Sequence, residues 1–335
     1  MRIIVPMAGM GKRMRPHTLT VPKPLIPVGG KPIVQRLVED ITKVCGEKVE
    51  EIAYVIGPSF GKEVEKNLVA IAEKLGAKGS IYYQDVPLGT AHAILCAKEA
   101  LHGKTVIAFA DTLFKADFTI DTSKEGIIWV KQIEDPKQFG VVKVDSNGFI
   151  TDFVEKPQTF VSDLAIIGIY YVKDGDYLKK ELQYLLDNDI KDKGEYQLTN
   201  ALENMKGKGV KFAPGSVSEW LDCGNKDATV YTNQRILEFD KGKSLIAGSV
   251  KKSNAVIIEP CYIGENVQLE NCVIGPHVSI GAGSSVKHAI ISNSIIQTNS
   301  KIENAVIDNS MVGSFVEYSE KKKELSLGDY SVQAG

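Results

Sequence analysis

Glycine and basic residues near the N-terminus form a pattern suited to binding phosphate. Gly9 and Gly11 follow the short apolar run 3–5, and basic side chains come directly after them. Glycine lets backbone N–H groups approach a phosphate, and cations behind the turn can neutralise its negative oxygens. We therefore expect a nucleoside triphosphate to bind here. The residues predicted to contact it are Ala8, Gly9, Gly11, Lys12, Arg13 and Lys23.

Two common phosphate loops do not fit this segment. A P-loop requires Ser or Thr directly after Gly-Lys, but Arg13 follows Lys12, and no glycine stands five positions before Gly11. A dinucleotide-binding turn requires a third small residue where Met14 stands. On these residues alone, the glycines could also form an ordinary tight turn and the cations an exposed basic surface.

The chain around this pattern alternates between strand and helix signals. The predicted helices carry apolar residues on one face and cover 33–44, 64–75 and 90–101. The predicted strands are short apolar runs at 3–5, 52–56, 81–83 and 105–110. This alternation predicts an α/β, Rossmann-like domain with a mostly parallel sheet.

Three candidate ligand-binding segments directly follow predicted strands. Gly9 and Gly11 follow the first strand, Gln84 follows the third and Asp111 follows the fourth. In an open parallel sheet, ligands bind beyond the carboxyl ends of the strands, which lie at one edge. Segments that are far apart in the chain are therefore expected to share one site.

Composition excludes several classes of protein. The 335 residues are 43% apolar and 24% charged, which is ordinary for a globular protein, and the length allows two domains. The formal net charge of −2 argues against nucleic-acid binding, because such domains usually carry a basic excess. No apolar run approaches a membrane span or a signal-peptide core, so we expect a cytoplasmic protein that binds no membrane. The five scattered cysteines lack a CxxC pair and indicate neither a disulfide framework nor a zinc site.

The sequence pattern changes near residue 244, after which short aliphatic residues recur every five or six positions. Segments such as 263–267 and 280–284 match hexapeptide repeats of a β-helix, in which each rung adds one inward aliphatic residue to a stacked column. A generic set of short strands is the alternative. We predict two domains, 1–239 and 240–335, with a further rung at 327–332. The predicted inward residues are Ile263, Leu269, Ile274, Ile280, Val286, Ile291, Ile296, Ile302, Ile307 and Val312.

In this order, the motifs resemble those of the sugar-1-phosphate nucleotidyltransferases over almost the whole chain. The signature Gly-x-Gly-Thr-Arg-Leu-x-Pro, followed by Pro-Lys-Pro-Leu, occurs here with Lys12 in place of Thr and Met14 in place of Leu. The resemblance implies that Arg13 and Lys23 are catalytic cations at the triphosphate, together with a catalytic Asp111. It also implies that the C-terminal domain is a left-handed parallel β-helix.

Gln84 and the segment 88–93 resemble the part of this family that reads the base. A Gln amide can accept a hydrogen bond from a pyrimidine N3–H and donate to O4, while Gly89 lets the backbone approach the base edge. This favours uracil or thymine, although guanine offers a similar edge and the amide could flip to suit cytosine. Thr90 is assigned to the same nucleotide site, or else it is simply the N-cap of the following helix.

Two aspartates match the magnesium ligands of the family. Asp111 ends a strand and Asp222 lies in Trp-Leu-Asp-Cys-Gly. Carboxylates on two elements suit Mg²⁺, which usually keeps several waters and uses one or two protein carboxylates. The residues that follow depart from the family, because Thr112 and Cys223 replace the usual Asn and Thr.

The sugar phosphate is expected to bind at Gly140, Glu155 and Lys156. By the resemblance, Glu155 accepts hydrogen bonds from ring hydroxyls, Lys156 neutralises the phosphate and Gly140 leaves room for the ring. The pair Ile166-Ile167 replaces an Asn found in relatives that handle N-acetylglucosamine, which favours a plain hexose. The segment 195–199 also resembles the family but has no predicted role.

The resemblance implies a Mg²⁺-dependent transfer of a nucleotidyl group from dTTP or UTP to a hexose 1-phosphate, with release of pyrophosphate. A homo-oligomer assembled through the β-helix domain is also expected. One alternative adds acyl transfer by the β-helix, with His277 or His288 as the base. Another makes the chain a regulatory subunit without catalysis, against which Arg13, Lys23, Asp111 and Asp222 argue.

Overall fold

A computed structural model describes residues 1–9, 11–115, 118–321 and 323–332. The chain divides into two compact units: Met1–Ile26 with Lys31–Ala228, and Pro27–Gly30 with Thr229–Gly335. The second unit therefore begins inside a helix, before the predicted boundary at 239/240, and includes four residues from near the N-terminus. The predicted domain boundary itself stays a prediction.

The first unit, residues 1–26 and 31–228, contains the α/β elements that the alternating pattern predicts. Its strands are β1 (Arg2–Pro6), β3 (Lys31–Pro32), β4 (Glu51–Ile56), β5 (Lys78–Tyr83), β6 (Thr105–Ala108), β7 (Thr112–Lys115), β8 (Gly126–Gln132), β9 (Val141–Val144), β10 (Ile150–Val154), β11 (Leu164–Val172), β12 (Phe212–Ser216) and β13 (Glu219–Asp222). Strand β2 (Pro27–Val28) belongs to the second unit. The helices of the first unit are α1 (Ile33–Val44), α2 (Lys62–Lys74), α3 (Thr90–Cys96), α4 (Gly175–Asp187) and α5 (Leu198–Gly207), and α6 (Lys226–Phe239) continues into the second unit.

The main sheet confirms the predicted Rossmann-like core and extends it. Its strands run in the order β10-β9-β11-β6-β1-β4-β5, with β8 pairing β11 and β12. The four strands β6, β1, β4 and β5 are parallel neighbours, as the alternation predicts. The strands added from the second half of the unit, β9 to β11, pair antiparallel. Helix α1 buries the predicted apolar face, whereas α3 ends at Cys96 rather than at 101.

The second unit is a parallel β-helix built from short strands. The strands are β14 (Lys251–Ile257), β15 (Cys261–Ile263), β16 (Gln268–Ile274), β17 (Val278–Ile280), β18 (Ser285–Lys287), β19 (Ile290–Ile291), β20 (Ile295–Ile296), β21 (Lys301–Glu303), β22 (Val306–Ile307), β23 (Met311–Val312) and β24 (Glu317–Ser319). They pair in parallel along three stacks, and residues one coil apart are 17 positions apart in the early coils and 16 in the later ones. The periodicity of five to six residues thus corresponds to the length of one side of a coil that has three sides. The left-handedness stays a prediction.

The predicted inward columns form the core of this β-helix. Ile263, Ile280 and Ile296 stack along one side and are at most 1% exposed. The corners between sides carry asparagines in the left-handed region, such as Asn254 and Asn271, a conformation that Asn tolerates better than most residues. The predicted rung at 327–332 is wrong: these residues are exposed and form no strand, because no aliphatic column continues among the described residues beyond β24.

The three sides of the β-helix differ in surface chemistry. One side carries ion pairs between adjacent coils, such as Lys301 with Glu317 at 2.7 Å. A second side packs on elements of its own unit, since Ser279 donates a hydrogen bond to Asn233 of α6 and Tyr262 lies against Gly30. The third, named here the apolar side, presents the outward residues Val256, Val273, Ile290 and Val306.

Among the described residues, no helix is both long and apolar enough to span a bilayer. The predicted cytoplasmic location stays a prediction. The five cysteines are thiols outside any disulfide, and four of them are buried, consistent with their interpretation as small core residues.

Candidate active site

The phosphate-binding turn follows β1 at the carboxyl edge of the sheet. Gly11 has a φ of +59°, and a Cβ there would lie 2.9 Å from Cβ of Lys23. Both facts require glycine. The Thr18 hydroxyl donates a 2.8 Å hydrogen bond to the Gly11 carbonyl and holds the turn closed. Met10, the residue between the two glycines, lies outside the described residues.

Lys23 and Asp111 form an ion pair at this edge. Lys23 Nζ lies 2.7 Å from Asp111 Oδ2, and their side chains are 13% and 35% exposed. Burial would raise the pKa of Asp111, but the charge and hydrogen bond of Lys23, with a smaller contribution from Arg13, outweigh burial and lower that pKa. Asp111 is therefore held as a carboxylate beside a fixed cation.

Asp222 is brought to Asp111 by a short antiparallel pair of strands. Strand β13 pairs with β7 so that Asp222 faces Thr112, and the Cys223 N–H donates a 2.8 Å hydrogen bond to the Asp111 carbonyl. Burial and then the negative charge of Asp111 raise the pKa of Asp222, against the opposing charges of Lys23 and Arg13. The two predicted metal ligands are thus close enough to repel each other.

This pair of carboxylates fits a magnesium ion. Within the described ranges, no cluster of three or more His, Cys, Asp or Glu side chains could hold a metal on its own. Two carboxylates suffice for Mg²⁺, because it keeps waters and takes substrate phosphate oxygens as further ligands. A divalent cation between Asp111 and Asp222 would also relieve the repulsion that raises the pKa of Asp222.

Gln84 follows β5 and is held from two directions. Its amide nitrogen Nε2 lies 3.2 Å from the Gly89 carbonyl and 3.0 Å from Nδ1 of His92. The residue is 9% exposed and lines the same cavity as Lys23 and Asp111. When Nδ1 of His92 is unprotonated, both amide hydrogens have acceptors inside the protein, which leaves Oε1 as the half of the amide that faces a ligand. The predicted hydrogen bond to a base O4 stays a prediction.

The segment 195–198, for which the sequence predicts no role, supports the turn at Gly89 and Thr90. Gly89 has a φ of +117°, and a Cβ there would lie 2.4 Å from the Tyr196 carbonyl oxygen. The Thr90 hydroxyl donates to Gln197 Oε1 at 3.1 Å and accepts from the Leu198 N–H at 2.9 Å. The hydroxyl therefore contacts the start of α5 and does not cap its own helix, α3, where no side-chain cap is formed.

The predicted sugar-phosphate residues form a second cluster. A Cβ at Gly140 would lie 3.1 Å from Glu155 Oε2, so glycine leaves room beside this carboxylate. Lys156 Nζ lies 3.4 Å from Glu155 Oε1. Lys193 Nζ donates to the carbonyls of both Glu155 and Lys156, at 3.0 and 2.7 Å, and so holds the turn that carries them.

A buried tyrosine connects the two clusters. The pKa of Tyr170 is raised first by burial and then by the negative charges of Glu155 and Asp111. Both carboxylates therefore lie near one phenol, which places the predicted sugar cluster and Asp111 in one region of the first unit.

The chain matches a known protein family over most of its length. A family profile described as nucleotidyl transferase matches residues 3–238. The chain belongs to the nucleotidyl transferase family. The match covers the strands and loops that carry Lys23, Gln84, Asp111 and Asp222.

Two relatives extend over nearly the full length of the chain, and a solved structure covers most of it. The low-salt glycan biosynthesis nucleotidyltransferase Agl11 of Haloferax volcanii is 26% identical over 96% of this chain and 97% of its own. A glucose-1-phosphate thymidylyltransferase of Streptomyces antibioticus is 25% identical over 99% and 98%. A crystal structure of UDP-glucose pyrophosphorylase with UDP-glucose shares the fold, with a TM-score of 0.59 at 22% identity over 71% of this chain and 98% of that one.

In this nucleotidyl transferase, many of the predicted residues line a cavity of about 260 Å³. The predicted residues that line it are Ala8, Gly9, Gly11, Lys23, Gln84, Gly89, Thr90 and Asp111. Lys12 and Arg13 are exposed on the short 3₁₀ turn Lys12–Met14, and Arg13 Nη1 lies 3.5 Å from Gln138 Oε1. They do not line the cavity, and neither do the sugar cluster or Asp222.

Several residues of the site were missed by reasoning from the sequence. Phe109 and Glu195 line the cavity, Lys193 supports the sugar cluster, and His92 contacts Gln84. Only two of them carried a signal, because Glu195 and His92 lie in segments that resemble the family. The predicted acyl-transfer bases gain no support: His277 bonds Glu238 and Asn293, and His288 is exposed at a corner of the β-helix.

Proposed function

We propose that this nucleotidyl transferase moves a nucleotidyl group from dTTP or UTP to a hexose 1-phosphate and releases pyrophosphate. One observation carries the proposal: the Lys23–Asp111 ion pair lines the same cavity as Gln84. A cation, a carboxylate for a metal and a base-reading amide are the groups that a nucleoside triphosphate requires. Membership of the family supplies the reaction type.

The reaction needs positioning and charge neutralisation rather than a protein nucleophile. An oxygen of the sugar phosphate attacks the α-phosphorus, forming a new P–O bond as the bond to the pyrophosphate oxygen breaks. Lys23 and Arg13 are proposed to stabilise the negative charge that grows on the departing pyrophosphate. Mg²⁺ held by Asp111 and Asp222 would polarise the α-phosphate when bound.

The sugar cluster orients the second substrate. We propose that Glu155 accepts hydrogen bonds from ring hydroxyls and that Lys156 binds the sugar phosphate. Lys193 and Gly140 support this arrangement, since one fixes the turn and the other leaves space beside the carboxylate. The identity of the hexose, with glucose as our proposal, is tested by assaying pyrophosphate release with several hexose 1-phosphates and four nucleotides.

The wild-type protein is expected to use dTTP or UTP at least about ten times more efficiently than ATP. Adenine presents an acceptor where uracil and thymine present N–H, so Gln84 Oε1 would face an unpaired acceptor. Gln84→Ala should lose about 1–2 kcal/mol of this preference, because the base edge loses its partner. Measurement of kcat/KM for each nucleotide tests both statements, and equal turnover of ATP and dTTP by the wild type would refute the assignment of the base.

The apolar side of the β-helix supports self-association with a second copy of this chain. Val256, Ile290 and Val306 are 57%, 52% and 75% exposed and lie in one column. Exposed aliphatic columns on a regular solenoid favour pairing between copies, because a flat apolar surface can be buried against its own symmetry mate.

Ile290→Lys is expected to lower the oligomeric state, since it puts a charge in the centre of the apolar side. Light scattering after size exclusion measures the change, and Ser253→Lys, on the side that carries ion pairs, is the matched control. An unchanged oligomer in Ile290→Lys would contradict this interface. A point substitution is preferable to truncation after Phe239, because that cut would pass through the second unit.

A further inference from the structure

His92 lies on α3 beside the residue proposed to read the base. Its Nδ1 is 3.0 Å from Gln84 Nε2, and Gln84 Nε2 is also 3.2 Å from the Gly89 carbonyl. A carbonyl oxygen can only accept a hydrogen bond, so the nitrogen of the amide must point towards Gly89. The imidazole nitrogen facing the same amide must then also accept.

We propose that His92 is a positioning residue that holds the Gln84 amide with its oxygen towards the nucleotide, and so restricts the enzyme to bases that carry a ring N–H. The inference rests on the proposed function. Uracil, thymine and guanine carry such an N–H, whereas cytosine and adenine carry an unprotonated ring nitrogen at this edge. The flipped amide, which would suit cytosine, is disfavoured because it would turn its oxygen towards two acceptors.

The surroundings of His92 favour the required neutral ring. Burial lowers the pKa of His92, against a smaller opposing contribution from a hydrogen bond with the backbone of Val86. The second ring nitrogen, Nε2, lies 4.0 Å from Cys96 Sγ. A neutral ring with its proton on Nε2 leaves Nδ1 as the acceptor that Gln84 needs.

His92 and the Gly89 carbonyl together determine the orientation of the Gln84 amide. Gly89 is fixed by its packing against the Tyr196 backbone, so its carbonyl cannot move to suit a flipped amide without disturbing the segment 195–198. A single acceptor would leave the second amide N–H without a partner in the protein and available to solvent or a ligand. Two acceptors fix both hydrogens, and this is the property that an amide needs in order to discriminate between bases.

The test compares two substitutions of His92. In His92→Asn, the side-chain oxygen can take the position of Nδ1 and still accept from Gln84. His92→Leu keeps similar bulk but removes the acceptor. His102→Leu applies the same change to a histidine outside the site and is the matched control. Thermal melting establishes that each variant is folded.

The readouts are kcat and KM for UTP and CTP, measured with glucose 1-phosphate by pyrophosphate release. We expect His92→Leu to lower the UTP-over-CTP ratio of kcat/KM about tenfold, through KM, and to leave kcat for UTP within about threefold. His92→Asn should retain most of the wild-type ratio. The nitrogen NMR spectrum of wild-type His92 should show a proton on Nε2 and none on Nδ1.

The outcomes separate this inference from the proposed function. A wild-type enzyme that turns over no nucleotide with any hexose 1-phosphate overturns the proposed function, and the inference with it. An active wild type whose selectivity survives in folded His92→Leu overturns the inference alone. A proton on Nδ1 of His92 does the same, because that ring could not accept from the amide.

Discussion

Asp111→Asn and Asp222→Asn are each expected to slow nucleotidyl transfer about a hundredfold or more without unfolding the protein. Asn keeps the size and hydrogen-bonding capacity of Asp but loses the negative charge on which Mg²⁺ binding depends. The loss should correspond to about 3 kcal/mol or more of transition-state stabilisation. In Asp111→Asn, the ion pair with Lys23 is lost, but the amide oxygen can still accept a hydrogen bond from Lys23, so no steric clash replaces it.

The two aspartates should behave as a unit. If they serve one metal ion, the double variant should lose far less than the sum of the two single losses, because the second substitution removes a site already disabled. A purely structural role predicts the opposite result, in which each variant melts at a lower temperature while the folded fraction keeps normal turnover.

Pyrophosphate release across a Mg²⁺ titration, with thermal melting of each variant, distinguishes the two roles. Partial recovery of either single variant at high Mg²⁺ is expected, since weaker metal binding can be offset by concentration. Full activity of either variant at limiting Mg²⁺ would contradict the assignment of Asp111 and Asp222 as metal ligands. Asp135→Asn, an exposed aspartate outside the cluster, is a suitable control.

Lys23→Met is expected to reduce turnover about a hundredfold, as removal of one preorganised group that stabilises developing charge typically does. Met retains much of the aliphatic stem of Lys23, whose side chain is only 13% exposed, so packing is largely kept. The charge that opposes the growing negative charge of the pyrophosphate is lost. Lys66→Met, on the exposed side of α2, is the matched control.

The same substitution should move the pH dependence of the reaction. Lys23 lowers the pKa of Asp111, so in the wild type Asp111 stays ionised as the pH falls until that lowered pKa is reached. Without Lys23 the pKa of Asp111 rises, and the carboxylate is protonated at a higher pH. The acid limb of kcat/KM should therefore shift upwards in Lys23→Met, and an unmoved acid limb would show that Lys23 does not control Asp111.

Local sequence patterns predicted the main elements of this protein and indicated where a candidate site would lie. Helix α1 and strand β4 lie where apolar spacing indicates them, and the inward column Ile263, Ile280, Ile296 follows directly from the periodicity. Such patterns can be recognised in the sequence because each helix turn, strand or rung must bury its own apolar residues. The apolar residues therefore recur at a regular spacing along the chain. The rule that ligands bind at strand carboxyl ends then brought Gln84 and Asp111 to one edge.

The antiparallel half of the sheet and the division into units depended on tertiary structure. Strands β9 to β11 have no short-range pattern that separates antiparallel from parallel pairing, because alternation of helix and strand stops before them. Pro27–Gly30 belongs to the second unit although it lies among residues of the first, since Gly29 donates a hydrogen bond to the buried Asn233. Nothing near residue 27 in the chain indicates that contact.

Only the fold determines the charge and the hydrogen-bond partners of each residue in the candidate site. Asp222 meets Asp111 because β13 pairs with β7, and the pKa values of the two carboxyls move in opposite directions because Lys23 bonds one of them. The orientation of the Gln84 amide depends on His92 and on a Gly89 carbonyl fixed by the Tyr196 backbone. The residue type determines which hydrogen bonds a side chain can donate or accept and which charge it carries. The pairing of distant segments determines which partner that side chain contacts.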